Sequence, residues 1–236
     1  MKIGILQCDD VQAQLQPEFG NYPQMFQQLM DQVRDDLSYE TYDVRLGEYP
    51  ASLDDCDGYI TTGSRHGVND GLAWLDELES FVRRLYEAGK PYVGICFGHQ
   101  LLAKALGGRV ERSARGWGVG VSFNEISQPR GWMSPAQSAL DLVVSHQDQV
   151  TLLPENTQVL ASSQFCPFYL IQVGEHMLGV QGHPEFSRSY SAALTDRRRD
   201  RIPASRVREA FTSLTAEVDA QLATRWILNF IDQARQ

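Results

Sequence analysis

Over the first half of the chain, short apolar runs alternate with longer stretches in which apolar positions recur every three or four residues. The runs at 2–7, 58–62 and 92–95 predict strands, and 42–46 reads as a further short strand. Residues 20–37 place Met25, Phe26, Leu29, Met30 and Val33 on one side, which predicts a helix, and 74–87 do the same with Leu75, Leu78, Phe81, Val82 and Leu85. Strands separated by helices pair in parallel through right-handed crossovers. Beyond Gly108 the pattern changes. Residues 116–123, 140–144, 157–161, 168–173 and 177–181 read as strands with little helical periodicity between them, so a second, partly antiparallel sheet or extension is expected. Helical periodicity returns at 189–202, 205–216 and 218–233. No linker or repeat interrupts the chain, which predicts one α/β domain over 1–236 with a C-terminal helical extension from about 187.

The sharpest change of period falls at Cys96. Tyr92, Val93 and Ile95 end a strand, and Leu101, Leu102, Ala105 and Leu106 mark one face of a helix that Gly107 and Gly108 stop. A residue at such a join, with Gly94 before and Gly98 after it, forms a nucleophile elbow with cysteine in the place of serine. A packed core cysteine, the usual fate of an unpaired thiol, has no need of that frame. The helix directs its first N–H groups at the sulfur and leaves the amide of Phe97 free for an oxyanion.

A thiol nucleophile needs a proton partner, and His183 is the best of five histidines. Glu185 stands two residues on, and in an extended segment i and i+2 project to one side, so the carboxylate can orient the imidazole. His99, one turn into the helix, reads as structural. Gln100, four residues after Cys96, stands over the same helix face and is placed to contact a substrate. Two polar segments at strand ends complete the candidates: 63–71, where Gly63 and Ser64 offer backbone amides, and 144–150, with Ser145 and His146. A plain surface turn is the competing reading of each.

Bulk properties narrow the field. A net charge of −9 argues against a nucleic-acid surface. The one basic run, 197–201, is interrupted by Asp200 and reads as a solvated face. Its position behind Glu185 nevertheless suggests that 187–213 caps the site, with the far side of the sheet as the alternative. No apolar run is long enough to span a membrane, and the first strand is followed at once by Asp9 and Asp10, so no signal peptide is expected and a cytoplasmic protein is. Cys8, Cys56, Cys96 and Cys166 form no C-x-x-C pair, so neither metal nor other cofactor is called for.

The elbow at 94–100, the Ser145-His-Gln-Asp148 segment, the Gly182-His-Pro-Glu185 segment and the Thr61-Thr-Gly-Ser64 loop together resemble the class I (triad) glutamine amidotransferases over about residues 1–190. The resemblance implies a flavodoxin-like, mostly parallel sheet flanked by helices, and hydrolysis of a γ-glutamyl amide through a thioester. It also implies Cys96 as nucleophile, His183 as proton shuttle and Glu185 as its orienter. Gly63 and Phe97 would be the oxyanion donors, and Ser64, Gln100, Ser145 and His146 the substrate contacts. One departure matters: the oxyanion loop is Gly63-Ser-Arg-His-Gly67 where synthase members often have Gly-Gly-Pro, which resembles stand-alone members related to the GMP-synthase amidotransferase domain. No ATP-binding or acceptor domain is recognisable. Three readings stay open: a glutaminase feeding ammonia to a separate synthase subunit, a stand-alone hydrolase of γ-glutamyl peptides or amines, and a non-catalytic regulatory module.

Overall fold

The computed structural model describes residues 1–236. The strands are β1 (Lys2–Gln7), β2 (Ser38–Asp43), β3 (Gly58–Thr61), β4 (Tyr92–Ile95), β5 (Arg109–Arg112), β6 (Gly118–Ser122), β7 (Glu125–Ile126), β8 (Leu142–His146), β9 (Asp148–Leu152), β10 (Thr157–Ser162), β11 (Leu170–Val173) and β12 (Met177–Val180). The helices are α1 (Gln16–Phe19), α2 (Tyr22–Asp31), α3 (Ala73–Glu87), α4 (Phe97–Ala105), α5 (Arg188–Asp196), α6 (Ala204–Ser213) and α7 (Ala220–Ala234).

The eight-stranded sheet has the order β2-β1-β3-β4-β12-β11-β10-β7. Its first five strands are parallel and follow the flavodoxin-like order, and the last three add on antiparallel. The change of texture after Gly108 thus marks an antiparallel extension of the main sheet, together with two separate pairs, β5 with β9 and β6 with β8. Both faces of the parallel part are covered. Ile3, Ile5, Ile60, Val93 and Ile95 meet Phe26 and Met30 of α2 and Trp226, Ile227 and Phe230 of α7. Leu6, Tyr59 and Tyr92 meet α3 and α4 through Leu75, Leu78, Phe81, Leu101 and Leu102. Each such side chain, fully buried, contributes about 1.5–3 kcal/mol. No helix is long and apolar enough to cross a membrane.

Two expectations fail at the sheet's edge. The helix predicted over 20–37 ends at Asp31, and the strand predicted at 42–46 lies at Ser38–Asp43, followed by a 3-10 turn at Val44–Leu46. The start of α2 is written locally: Asn21 and Gln24 form a reciprocal capping box, with Pro23 in the first turn. β2 is an edge strand whose residues Ser-Tyr-Glu-Thr-Tyr-Asp are mostly exposed or half-buried, so it lacks the apolar run that announces a buried strand. Residues 144–150, read as a polar loop, are instead largely strand, the end of β8 and the start of β9 joined at Gln147. Each belongs to a two-stranded pair, and alternation of polar and apolar residues suffices there.

Candidate active site

Cys96 caps α4 in a strained conformation, φ 51° and ψ −94°, at the C-terminal end of β4. The flanking glycines explain how the turn closes. A Cβ on Gly94 would lie 2.2 Å from the carbonyl oxygen of Gly98, and one on Gly98 only 1.7 Å from Thr61 Oγ1. Strand and helix therefore approach more closely than any other residue permits. The Cys96 amide donates to Val180 of β12 (2.7 Å), and Gln100 N–H closes the first helical turn on the Cys96 carbonyl (3.1 Å). The amides of Phe97, Gly98 and His99 belong to the first turn, which has no intrahelical acceptors.

Because β12 lies beside β4, the chain leaving β12 passes the elbow. His183 is fixed there by its own amide, which donates to Val143 (2.8 Å), and its ring stacks on Phe186 with centroids 3.8 Å apart. Its Nδ1 lies 2.7 Å from Glu185 Oε1, and both side chains are almost fully buried. Burial works against the imidazolium, but the Glu185 carboxylate and the Cys96 sulfur, which the ring also faces, outweigh it and raise the pKa to about 10. His183 thus holds its proton at neutral pH. His99 is its opposite: fully buried against Gly179, with its pKa lowered by burial to about 3, it is a neutral packing residue.

The loop after β3 supplies the facing wall. Asp9, buried, accepts from the Arg65 amide (2.7 Å) and from its guanidinium (Nη2 to Oδ1, 2.7 Å). Ser64 lines the pocket, but its hydroxyl donates to the Cys8 carbonyl (3.2 Å) and accepts from His66 N–H (3.1 Å), so it holds the loop's shape. Gly63 abuts the imidazole: a Cβ there would lie 2.8 Å from His183 Cε1.

Gln100, Ser145 and His146 line the same pocket as Cys96 and Phe97. The Gln100 amide donates to the Asp148 carbonyl (2.8 Å) and to Gln181 Oε1 (3.2 Å), and Gln181 in turn points its Nε2 at Cys96 Sγ (3.5 Å). His146 donates from Nδ1 to the Asp148 carbonyl (3.1 Å) and keeps Nε2 unpartnered and buried. Burial lowers its pKa to about 4, so that nitrogen is an acceptor at neutral pH. Ser145 Oγ accepts from Arg198 Nη1 (2.7 Å).

Sequence reasoning gave no role to Gln181 or Asp148, and it expected the 187–213 segment over the site without singling out Arg198 and Arg201 as its lining residues. Gln181 ends a buried run, and nothing in its local pattern separates it from a strand terminus. Asp148 is the only carboxylate among the lining residues. The basic run is not simply a solvated face, because Arg198 and Arg201 line the pocket that holds Cys96. The expected cap at 187–213, read from its place directly behind Glu185, agrees with this, as α5 and α6 pack against β6 and β8.

Fold and site together place the chain among α/β proteins that present a cysteine above a parallel sheet. The chain belongs to the glutamine amidotransferase class-I family, whose model matches residues 36–195. Among curated proteins it is 32% identical over 186 residues to gamma-glutamyl peptidase 5 of Arabidopsis thaliana, covering 76% of this chain and 73% of that one. It is 33% identical over 115 residues to the GMP synthase [glutamine-hydrolyzing] of Edwardsiella ictaluri, covering 45% of this chain and 22% of that one. A crystal structure of a glutamine amidotransferase from Thermotoga maritima superposes with a TM-score of 0.74 at 18% identity, covering 99% and 97% of the two chains, a likeness of fold.

Proposed function

We propose that this protein hydrolyses γ-glutamyl amides through a thioester on Cys96. The observation that carries the reading is the strained cysteine at the N-terminus of α4 facing an imidazole held 2.7 Å from a buried carboxylate. The Cys96 thiolate attacks the amide carbon, and the new oxyanion is received by the backbone amides of Phe97 and Gly63. As the C–N bond breaks, His183 gives its proton to the departing nitrogen. Water then attacks the thioester, passes a proton to His183 and releases glutamate and the thiolate. Glu185 keeps the imidazole oriented and charged. Because His183 already holds a proton, its first act is as an acid, in keeping with the proton-shuttle role that the resemblance implies.

Gln100 and the Ser145 and His146 edge hold the γ-glutamyl half, with Ser64 shaping the opposite wall. Asp148 is the match for its α-ammonium. Residues 1–236 act as one unit, a reading supported by α7 at the C-terminal end packing on β1 and β3. Four unpaired thiols support a reducing, cytoplasmic setting.

The likeness to gamma-glutamyl peptidases supports an independent hydrolase whose leaving group is an amino acid or peptide. The match to the GMP synthase amidotransferase region supports the second reading, a subunit delivering ammonia to a separate synthase. The purified protein, given glutamine and a γ-glutamyl dipeptide at equal concentration, separates them. We expect the dipeptide to be cleaved with kcat/KM above ~10⁴ M⁻¹s⁻¹ and glutamine to be turned over slowly, with both activities lost in Cys96→Ala. Glutamine hydrolysis that rises only when a synthase partner is added would favour the second reading. Turnover surviving in Cys96→Ala would end both.

A further inference from the structure

The groups assigned so far address the γ-glutamyl half of a substrate. The turn between α5 and α6 adds charge to the same pocket. Of its four arginines, two are engaged elsewhere. Arg197 Nε donates to Gln12 Oε1 (2.8 Å), while Arg199 pairs with Asp196 (2.5 Å) and lies over the Phe211 ring at 5.3 Å. The other two, Arg198 and Arg201, line the pocket. Neither has a carboxylate within 4.0 Å; the one side-chain bond of Arg198 is to Ser145 Oγ. Burial pushes the Arg198 pKa down, and Tyr22, Tyr190 and the Cys96 sulfur offset it only in part. Across the pocket, by contrast, Arg65 is neutralised by Asp9.

An uncompensated, half-buried cation destabilises a fold, and this chain, at −9, has carboxylates in excess. None lies within 4.0 Å of either guanidinium, although Asp148 lines the same pocket. Nor is the turn loosely attached. Trp117 Nε1 donates to the Arg201 carbonyl (3.1 Å), and Trp117, Ile202 and Val207 form a small apolar cluster beneath it. The Arg198 guanidinium is held at the pocket by Ser145, and the more exposed Arg201 is anchored there through its carbonyl, with no carboxylate beside either.

We infer that Arg198 and Arg201 form a carboxylate subsite for the departing half of the substrate, which makes γ-glutamyl amino acids and peptides the preferred class over glutamine and γ-glutamyl amines. The inference rests on the proposed hydrolysis and goes further by assigning the leaving group's charge. Two cations with no carboxylate between them fit a lone carboxylate. The competing occupant is the α-carboxylate of the γ-glutamyl half, because Arg198 is bonded to Ser145 on that edge, and the comparison of acid with amide below decides between the two. Guanidinium forks give paired, charge-assisted bonds to a carboxylate, which explains arginine at both positions.

The test compares γ-glutamylglycine with γ-glutamylglycinamide, which differ only in the terminal charge. In the unmodified protein kcat/KM favours the free acid by about 10-fold or more, the scale of a hydrogen bond to a charged group. In Arg201→Gln, and more completely in Arg198→Gln with Arg201→Gln, that ratio collapses toward one, with Arg201→Lys between. A ratio unchanged in the double variant overturns the assignment. An equal loss on both substrates also overturns it, because the arginines would then serve the γ-glutamyl half or the sulfur. Calorimetric binding of the same two compounds to Cys96→Ala tests the subsite independently of turnover. If the unmodified protein cleaves neither compound, the hydrolysis reading fails, while tighter binding of the acid that depends on both arginines still supports the subsite. Equal affinity for acid and amide, or no binding of either, overturns it.

Discussion

Gly63 offers a direct way to disturb the proposed chemistry while leaving every polar group in place. In Gly63→Ala the new methyl would lie 2.8 Å from His183 Cε1 and 3.6 Å from Nδ1. Carbon atoms in ordinary contact stand at about 3.5–4.0 Å, so ring or loop must yield by roughly 0.7–1.2 Å. The ring has little freedom. Its Nδ1 is bonded to Glu185 at 2.7 Å, its amide to Val143 at 2.8 Å, and Phe186 stacks on it with centroids 3.8 Å apart. The loop is also held, by the Asp9 bonds to Arg65 and by Thr62 N–H on the Leu6 carbonyl (3.0 Å). The strain is therefore shared between a displaced imidazole and a displaced amide, which in the proposed mechanism serve the departing nitrogen and the oxyanion. A misplacement of about 1 Å costs on the order of 100-fold in rate, whereas overpacking by one methyl costs about 1–3 kcal/mol of stability. The expected result is a folded variant, melting a few degrees lower, with kcat on a γ-glutamyl dipeptide down by about 100-fold. Gly98→Ala, with its methyl 1.7 Å from Thr61 Oγ1, should instead fail at folding. A folded Gly63→Ala with kcat within about twofold of the parent would show that neither Gly63 nor the position of His183 matters as argued.

Two further expectations concern the thiols and the ion pair. Cys8 and Cys56 are buried with their thiol pKa values pushed up by burial, and Cys166 is pushed up to about 12, while Cys96 opens on the pocket. Iodoacetamide at neutral pH should therefore modify Cys96 first in the native protein, and mass spectrometry showing equal labelling, or sparing of Cys96 alone, would contradict the site. In Glu185→Gln the larger of the two charges that raise His183 is lost while the Cys96 sulfur remains, so the alkaline limb of the kcat profile should move down from near pH 10, with a smaller loss of kcat than in Cys96→Ala. The sign for stability follows: a raised histidine pKa stabilises fully below about 6.5 and is lost as pH rises toward about 10, so the variant should lack that alkaline decline. An alkaline limb that stays in place would separate His183 from Glu185.

Much of the arrangement was legible along the chain because it is local. The turn at Cys96 is written in Gly94 and Gly98, whose missing side chains allow strand and helix to touch. His183 and Glu185 lie two residues apart, and their alignment needs only extended backbone. The buried strands announce themselves because both faces are covered, which demands continuous apolar runs. The edge strand at Ser38–Asp43 does not, since one side and one edge meet water. β5 and β9 were hidden for the same reason, each carrying exposed residues in a two-stranded pair.

The charge balance of the pocket is a different matter. Residues 197–201 look like any solvated basic face, and within the chain nothing distinguishes Arg197, which reaches Gln12, from Arg198, which reaches Ser145. Which side each guanidinium takes depends on how the α5–α6 turn sits on Trp117, a contact across 84 residues of sequence. Local chemistry thus determined the turn at Cys96, the pairing of His183 with Glu185 and the parallel sheet beneath them, because backbone geometry over a few residues suffices for each. Only the tertiary structure decided what faces them, since the walls and cover of the pocket come from segments whose packing no short-range pattern records.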